Sequence, residues 1–165
     1  MKFSATMHLN GNPQQVAAMY ADPEYHLQRS NLVGVKETET EVSGELAHSF
    51  TVRSTRGVDA SLLPAPAAQF LGSHLRVVEM QEWHEPEADG GRRAIMSYEV
   101  GGAPVKIRSD VTLQPQGEST LVEVVGEFKV AIPLFGGKIE KAAAEHTQKL
   151  FAREEACANS YLAKA

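Results

Sequence analysis

The chain has 165 residues, 42% apolar and 22% charged, with a formal net charge of −5. That length buries a substantial core without covalent staples, and Cys157, its only cysteine, leaves no internal disulfide and no cysteine-rich metal site. The acidic balance, with no run of lysines or arginines, argues against a broad nucleic-acid-binding face.

The opening MKFSATMHLN lacks the apolar run of a signal peptide, and no stretch reaches membrane-spanning length. The expectation is one domain over residues 1–165, cytoplasmic, with no stable membrane insertion. Lys2 to Leu9 alternates strictly, with Phe3, Ala5, Met7 and Leu9 on one face, as in a half-buried strand. Asn12 is a candidate N-cap with Pro13 at the first helical position. Asp22-Pro23 ends that helix and starts a second one, through about Ser30.

From Val33 to Pro133 strand signals dominate. Val33 to Val42, Ser43-Gly44 and Glu45 to Thr55 predict a hairpin, with Leu46, His48, Phe50 and Val52 on one face. His74 to Glu85 is another strand, whose inward phase stays open because Val77 and Val78 compete. Arg93 to Val100 puts Ala94, Met96, Tyr98 and Val100 together. Val105, Ile107, Ser109, Val111 and Leu113 then alternate with polar residues, and Thr120 to Ile132 aligns Val122, Val124, Gly126, Phe128 and Val130. Seven strands, six of them consecutive and joined mainly by short turns, predict an antiparallel meander.

Asp59 to Ser73, DASLLPAPAAQFLGS, is too apolar for an ordinary solvated loop. Its prolines argue against a central strand, while APAAQFL suits a short helix. The segment reads either as chain packed over the end of the sheet or as a lid at a cavity mouth. From Lys138 to Ala163 there is neither glycine nor proline, which predicts a helix of roughly 39 Å. Ile139, Ala143, Leu150, Cys157 and Tyr161 form its apolar stripe, opposite Lys141, Glu145, Lys149 and Glu155.

Gly136-Gly137-Lys138 lacks the upstream glycine and the following Ser or Thr of a phosphate loop, so it reads as a tight corner before the helix. No two of the six histidines have metal-ligand spacing. Cys157, in the apolar stripe, reads as a small core residue rather than a nucleophile. His146 and Glu154 flank that stripe but lie ~12 Å apart along the axis, too far for a direct acid–base dyad. Nothing calls for a cofactor or a metal.

Strand, two short helices, six strands and one long C-terminal helix is a specific order of parts. With MKFSATMHLNGNPQQVAAMYADPEY and VAIPLFGGKIEKAAAE, it resembles the helix-grip fold of the START, polyketide cyclase and birch-pollen-allergen superfamily. In detail it looks most like an actinobacterial branch of unknown function. The resemblance implies an α+β fold in which a seven-stranded curved antiparallel sheet wraps around the C-terminal helix over an apolar cavity.

Candidate ligand-binding residues are then Phe50, Val52, Met96, Tyr98, Ile107, Ser109 and Val111 on the strands. Val124 and Phe128 continue the set, with His146, Leu150, Cys157 and Tyr161 on the helix. His48, Tyr98, Ser109, His146 and Tyr161 are candidate polar anchors, and Leu134-Phe135 a candidate rim. The leading expectation is a non-catalytic binding or carrier domain for a hydrophobic small molecule of lipid, isoprenoid, quinone or polyketide class. A cyclase- or hydratase-type enzyme using His48, Tyr98 or His146, and a chaperone-regulator-like interaction module, are the alternatives.

Overall fold

A computed structural model of the chain describes residues 1–32, 34–35, 38–59, 61, 65–68 and 74–164. β1 (Lys2–Leu9) buries Ala5, Met7 and Leu9 as its alternation predicts. α1 (Pro13–Tyr20) and α2 (Pro23–Asn31) follow, each with proline in the first turn. Asn12 and Gln15 form a reciprocal capping box, each side chain accepting from the other's backbone N–H at 2.9 Å. Asp22 caps α2 by accepting from Glu24 N at 2.8 Å.

Then come β2 (Thr38–Gly44), β3 (Phe50–Asp59), α3 (Ala65–Ala68), β4 (His74–Trp83), β5 (Arg92–Val100), β6 (Val105–Gln116), β7 (Ser119–Val130) and α4 (Gly136–Leu162). The seven strands make one antiparallel sheet in the order β1-β7-β6-β5-β4-β3-β2, a meander with β1 returned beside β7. The sheet wraps around α4, which packs chiefly on β1 and β7. Of the apolar segment Asp59 to Ser73, α3 lies against α4; the rest of the predicted lid, apart from Asp59 and Ser61, falls outside the described residues.

Three expectations need correction. The predicted hairpin runs its second strand too early. Gly44, at φ 91, ends β2, and residues 45–49 form a turn closed by Glu45 N donating to Ser49 O at 3.2 Å. Leu46 and His48 are therefore exposed turn residues, although they continue the phase of Phe50 and Val52. Buried Arg92 occupies the turn's carbonyls: its guanidinium donates to Leu46 O at 2.8 Å and also to His48 O, while its Nε donates to His84 O at 2.9 Å.

At the corner before α4, neither glycine of the pair has a positive φ; Leu134 does, at 67°. Gly136 is needed for close approach instead, since a Cβ there would lie 2.3 Å from Val130 O, whereas one on Gly137 would meet nothing within 4 Å. Leu134 is 93% exposed. Phe135 packs with Val105, Val130 and Ile139 in a small satellite core.

Third, the charged face of α4 is partly structural. β1 is an edge strand whose free backbone groups would be sticky, and α4 covers them. Glu155 accepts from His8 N at 2.8 Å, while Asn159 accepts from Asn10 N at 2.8 Å and donates to His8 O at 2.9 Å.

Candidate functional site

β4 supplies the centre of the site. Leu75, Val77, Glu79, Gln81 and Trp83 share its inward face, so Val77 faces in and Val78 out. Trp83 Nε1 donates to Gln81 Oε1 at 2.9 Å, and Gln81 Nε2 donates to Glu79 Oε1 at 2.8 Å. Register places Ser54, Glu79 and Tyr98 side by side across β3, β4 and β5, with Arg56 two residues along β3 from Ser54.

Glu79 is completely buried and shared by two guanidiniums. Arg29 of α2 donates to it bidentately, Nη1 to Oε1 at 3.1 Å and Nη2 to Oε2 at 3.0 Å, and Arg56 Nη2 donates to Oε2. Arg29 also reaches Glu154 of α4 through Nε at 3.0 Å and the Tyr98 hydroxyl through Nη2 at 3.3 Å. Tyr25 closes the group by donating to Glu154 Oε1 at 3.3 Å. Two arginines and two glutamates thus balance their charges within one network joining α2, β3, β4, β5 and α4.

The electrostatics follow from burial. Desolvation alone would drive the Glu79 carboxyl up, but Arg29 and Arg56 outweigh it and hold it well below the usual carboxylate range. Desolvation opposes the Arg29 charge, yet Glu154 and Glu79 keep that guanidinium well above its ordinary value. Burial, reinforced by the Glu79 charge, pushes the Tyr98 phenol well above an ordinary tyrosine. Tyr20 shifts the same way, through burial and then Glu154. Both phenols are protonated at neutral pH, and the Tyr98 hydroxyl serves as an acceptor for Arg29.

On one side of the network lies a filled core. Phe50 stacks on Trp83 at 5.7 Å between ring centroids, and Trp83 packs on Tyr20 at 5.3 Å. On the other side is a cavity of about 740 Å³ between sheet and α4, lined largely by Met, Val, Ile, Leu and Phe side chains. Its floor is sheet, and small residues of α4, Ala143, Ala144 and Thr147, form part of its roof. Larger side chains there would close it. A second depression of about 600 Å³ lies beside β2, β3 and β4 near His84 and Glu85. It is open to solvent, and Arg29, Arg56, Tyr98 and Glu154 line the internal cavity and not this depression, so the internal cavity is the candidate site.

The structure brings nine of the thirteen expected residues to the cavity: Met96, Tyr98, Ile107, Ser109, Val111, Val124, Phe128, His146 and Leu150. Leu150 (51% exposed) and the exposed His146 belong to its mouth. Phe50, Val52, Cys157 and Tyr161 do not line it. The first three are buried in the filled core, and Tyr161 packs against its edge. The Tyr161 hydroxyl donates to Asp22, tying α4 to the start of α2, and its pKa is pushed up to about 12 by burial and by that carboxylate. Burial also raises the Cys157 thiol, which suits a core residue.

His48, offered as a polar anchor, lies on the outside within 3.9 Å of Glu85. Leu134 and Phe135 do not rim the cavity. Arg29, Arg56, Glu79 and Glu154 were not foreseen as a group. Part of the signal was present: Arg56 has the phase of Phe50 and Val52, and Glu79 and Gln81 sit between inward Val77 and Trp83. Among the described residues no cluster of His, Cys, Asp and Glu is suited to hold a metal ion.

The architecture is the helix-grip fold of START, polyketide cyclase and birch-pollen-allergen-like proteins. A START superfamily protein from Mycobacterium smegmatis is similar at 15% identity, covering 99% of this chain and 97% of its own, with a TM-score of 0.59. The Zhui aromatase/cyclase from Streptomyces sp. R1128 matches at 11% identity over 99% and 94%, with a TM-score of 0.61. A STAR-related lipid transfer protein fragment from Xanthomonas axonopodis matches at 15% identity over 98% and 85%, also at 0.61. No curated protein matches the sequence significantly. The chain belongs to the DUF2505 family, described as a protein of unknown function, whose model matches residues 4–162.

Proposed function

We propose that this chain is a non-catalytic binding or carrier protein for a hydrophobic small molecule of lipid, isoprenoid, quinone or polyketide class, held between the sheet and α4. The observation that carries the reading is the apolar cavity of about 740 Å³, a size typical of small-molecule sites. Each ~100 Å² of ligand apolar surface buried there contributes ~2.5 kcal/mol before ordering costs, so few polar contacts are needed. Met96, Ile107, Val111, Val124 and Phe128 supply apolar contact; Tyr98 and Ser109 are polar groups inside; His146 and Leu150 stand at the mouth.

Neighbours of this fold include an aromatase/cyclase and a lipid transfer protein, so the fold does not choose between catalysis and carriage. Carriage is favoured because the buried titratable groups are committed to one another, and because His48 lies outside the cavity that Tyr98 and His146 line. A protein-interaction module with a filled interior fits such a cavity poorly.

Native mass spectrometry of gently purified protein tests the reading. The expected result is a bound hydrophobic molecule, or uptake of one from a lipid extract. Protein that emerges empty and takes up nothing would overturn it.

A further inference from the structure

The charged side chains that line the cavity divide into two sets. Arg29, Arg56 and Glu154 are taken up in the buried network, and Glu140 accepts from Val130 N at 3.0 Å and from the Met1 ammonium at 3.4 Å. Lys149 and Arg153, one turn apart on α4, are exposed and make no hydrogen bond or ion pair among the described residues. The apolar stretch 60–73 carries no acidic side chain that could neutralise them. In a chain of net charge −5, two uncompensated cations thus stand beside Leu150 at the mouth of an apolar cavity.

Depth decides which ligand charge such a cavity accepts. Inside, an anion would give up its hydration to meet arginines whose charge Glu79 and Glu154 already balance. At the mouth it keeps much of its hydration and meets unmatched cations. Side chains four residues apart on a helix have Cβ atoms roughly 6 Å from each other, so Lys149 and Arg153 can both reach one head group.

We infer that the cavity takes an amphiphile with an anionic head, carboxylate or phosphate, inserted tail first so that the head stays at the mouth against Lys149 and Arg153. The inference rests on the binding function proposed above and adds the charge of the head group and the direction of entry. The tail runs beneath Ala143, Ala144 and Thr147, the small residues of the roof.

The test is displacement of Nile red from the purified chain, near neutral pH and in about 10 mM salt, by dodecanol, dodecanoate, dodecyl phosphate and dodecylammonium. The two anions are expected to bind about tenfold tighter than dodecanol, and the ammonium no tighter than dodecanol. Whichever anion binds more tightly identifies the head. At about 1 M salt, where the Debye length shrinks to ~3 Å, the anions' advantage is expected to fall within about threefold. In the double variant Lys149→Gln/Arg153→Gln that advantage is expected to fall at least about fivefold. Lys138→Gln/Lys141→Gln takes the same two charges from exposed positions of α4 outside the cavity lining, and is expected to leave it within about twofold. Melting curves check that both variants are folded.

Anions that bind no tighter than dodecanol would overturn the inference and leave the binding function standing. An advantage unchanged in folded Lys149→Gln/Arg153→Gln, or insensitive to salt, would overturn it as well. So would adhesion of the chain to phosphatidylglycerol vesicles without displacement of the dye by either soluble anion, which would assign the two cations to a membrane surface. Failure of Nile red and of all four molecules to bind would count against both the inference and the binding function.

Discussion

Glu79 has no solvent contact, yet it stays ionised because two guanidiniums and the Gln81 amide surround it. Removing its charge leaves Arg29 and Arg56 buried with one carboxylate between them. Glu79→Gln should therefore destabilise the fold by about 3–5 kcal/mol in urea titrations, the range for breaking a buried ion pair from one side. The same residue makes the protein acid-sensitive. Its folded pKa lies below the ordinary 4.5, so the unfolded chain binds protons first, and stability falls as pH drops below about that value. His26 adds a step at milder acidity. Burial lowers its pKa from 6.5 and outweighs the opposing pull of the Glu79 charge and of the Tyr20 carbonyl 2.7 Å from its Nε2, so the folded state holds it neutral while the unfolded state charges below that pH. Melting temperatures should be flat near pH 7, decline below about 6.5, and fall more steeply below about 4.5. A His26→Gln variant should lose the first decline and keep the second.

At the level of elements, β4 and the β7–α4 corner show how a local pattern misleads. The inward face of β4 carries Glu79 and Gln81 between apolar residues, while Val78 and Met80 on the outer face are half-buried. Alternation fails as a guide there because the polar groups needed inside break the period at the site itself. At the corner, a glycine pair suggests backbone freedom, but the left-handed residue is Leu134 and the tightly packed one is Gly136. Two substitutions should have opposite signs. Gly136→Ala forces a methyl into Val130 O and should lower stability by about 1–3 kcal/mol. Leu134→Gly removes strain at a side chain that buries almost nothing, and should be neutral or stabilising by up to about 1 kcal/mol. Thermal denaturation of the two variants beside the parent decides both.

Over the whole molecule, the long helix is held at both ends and left loose in the middle. Ile139 anchors its start in the satellite core, and Cys157 and Ala158 anchor its end in the main core. Between them Ala143 and Ala144 are too small to fill the space above the sheet. Ala143→Leu should occupy part of that space, leave the melting temperature unchanged or higher, and weaken Nile red binding at least about tenfold. A variant that melted normally and bound the dye as tightly as the parent would show that the dye sits elsewhere.

The order of elements, the α1 and α2 caps and the long helix were legible in the sequence, because they rest on short-range signals: period-two alternation, Asn-Pro and Asp-Pro starts, and a breaker-free run at the end; the helix-grip architecture came from the family resemblance that this order carries. Nine residues of the cavity lining were legible for the same reason, being the inward phase of regular strands and one helix stripe. Only the tertiary structure decided that Arg29, Arg56, Glu79 and Glu154 meet, since they lie on four separate elements and the phase that turns Arg56 and Glu79 inward does not say which charges they meet. It also decided that Phe50, Val52, Cys157 and Tyr161 lie outside the cavity lining. Sequence period tells which way a side chain points; whether that space is filled or empty depends on the size of residues arriving from elsewhere in the chain, here Trp83 and Tyr20 at one end of the sheet and Ala143 and Ala144 at the other.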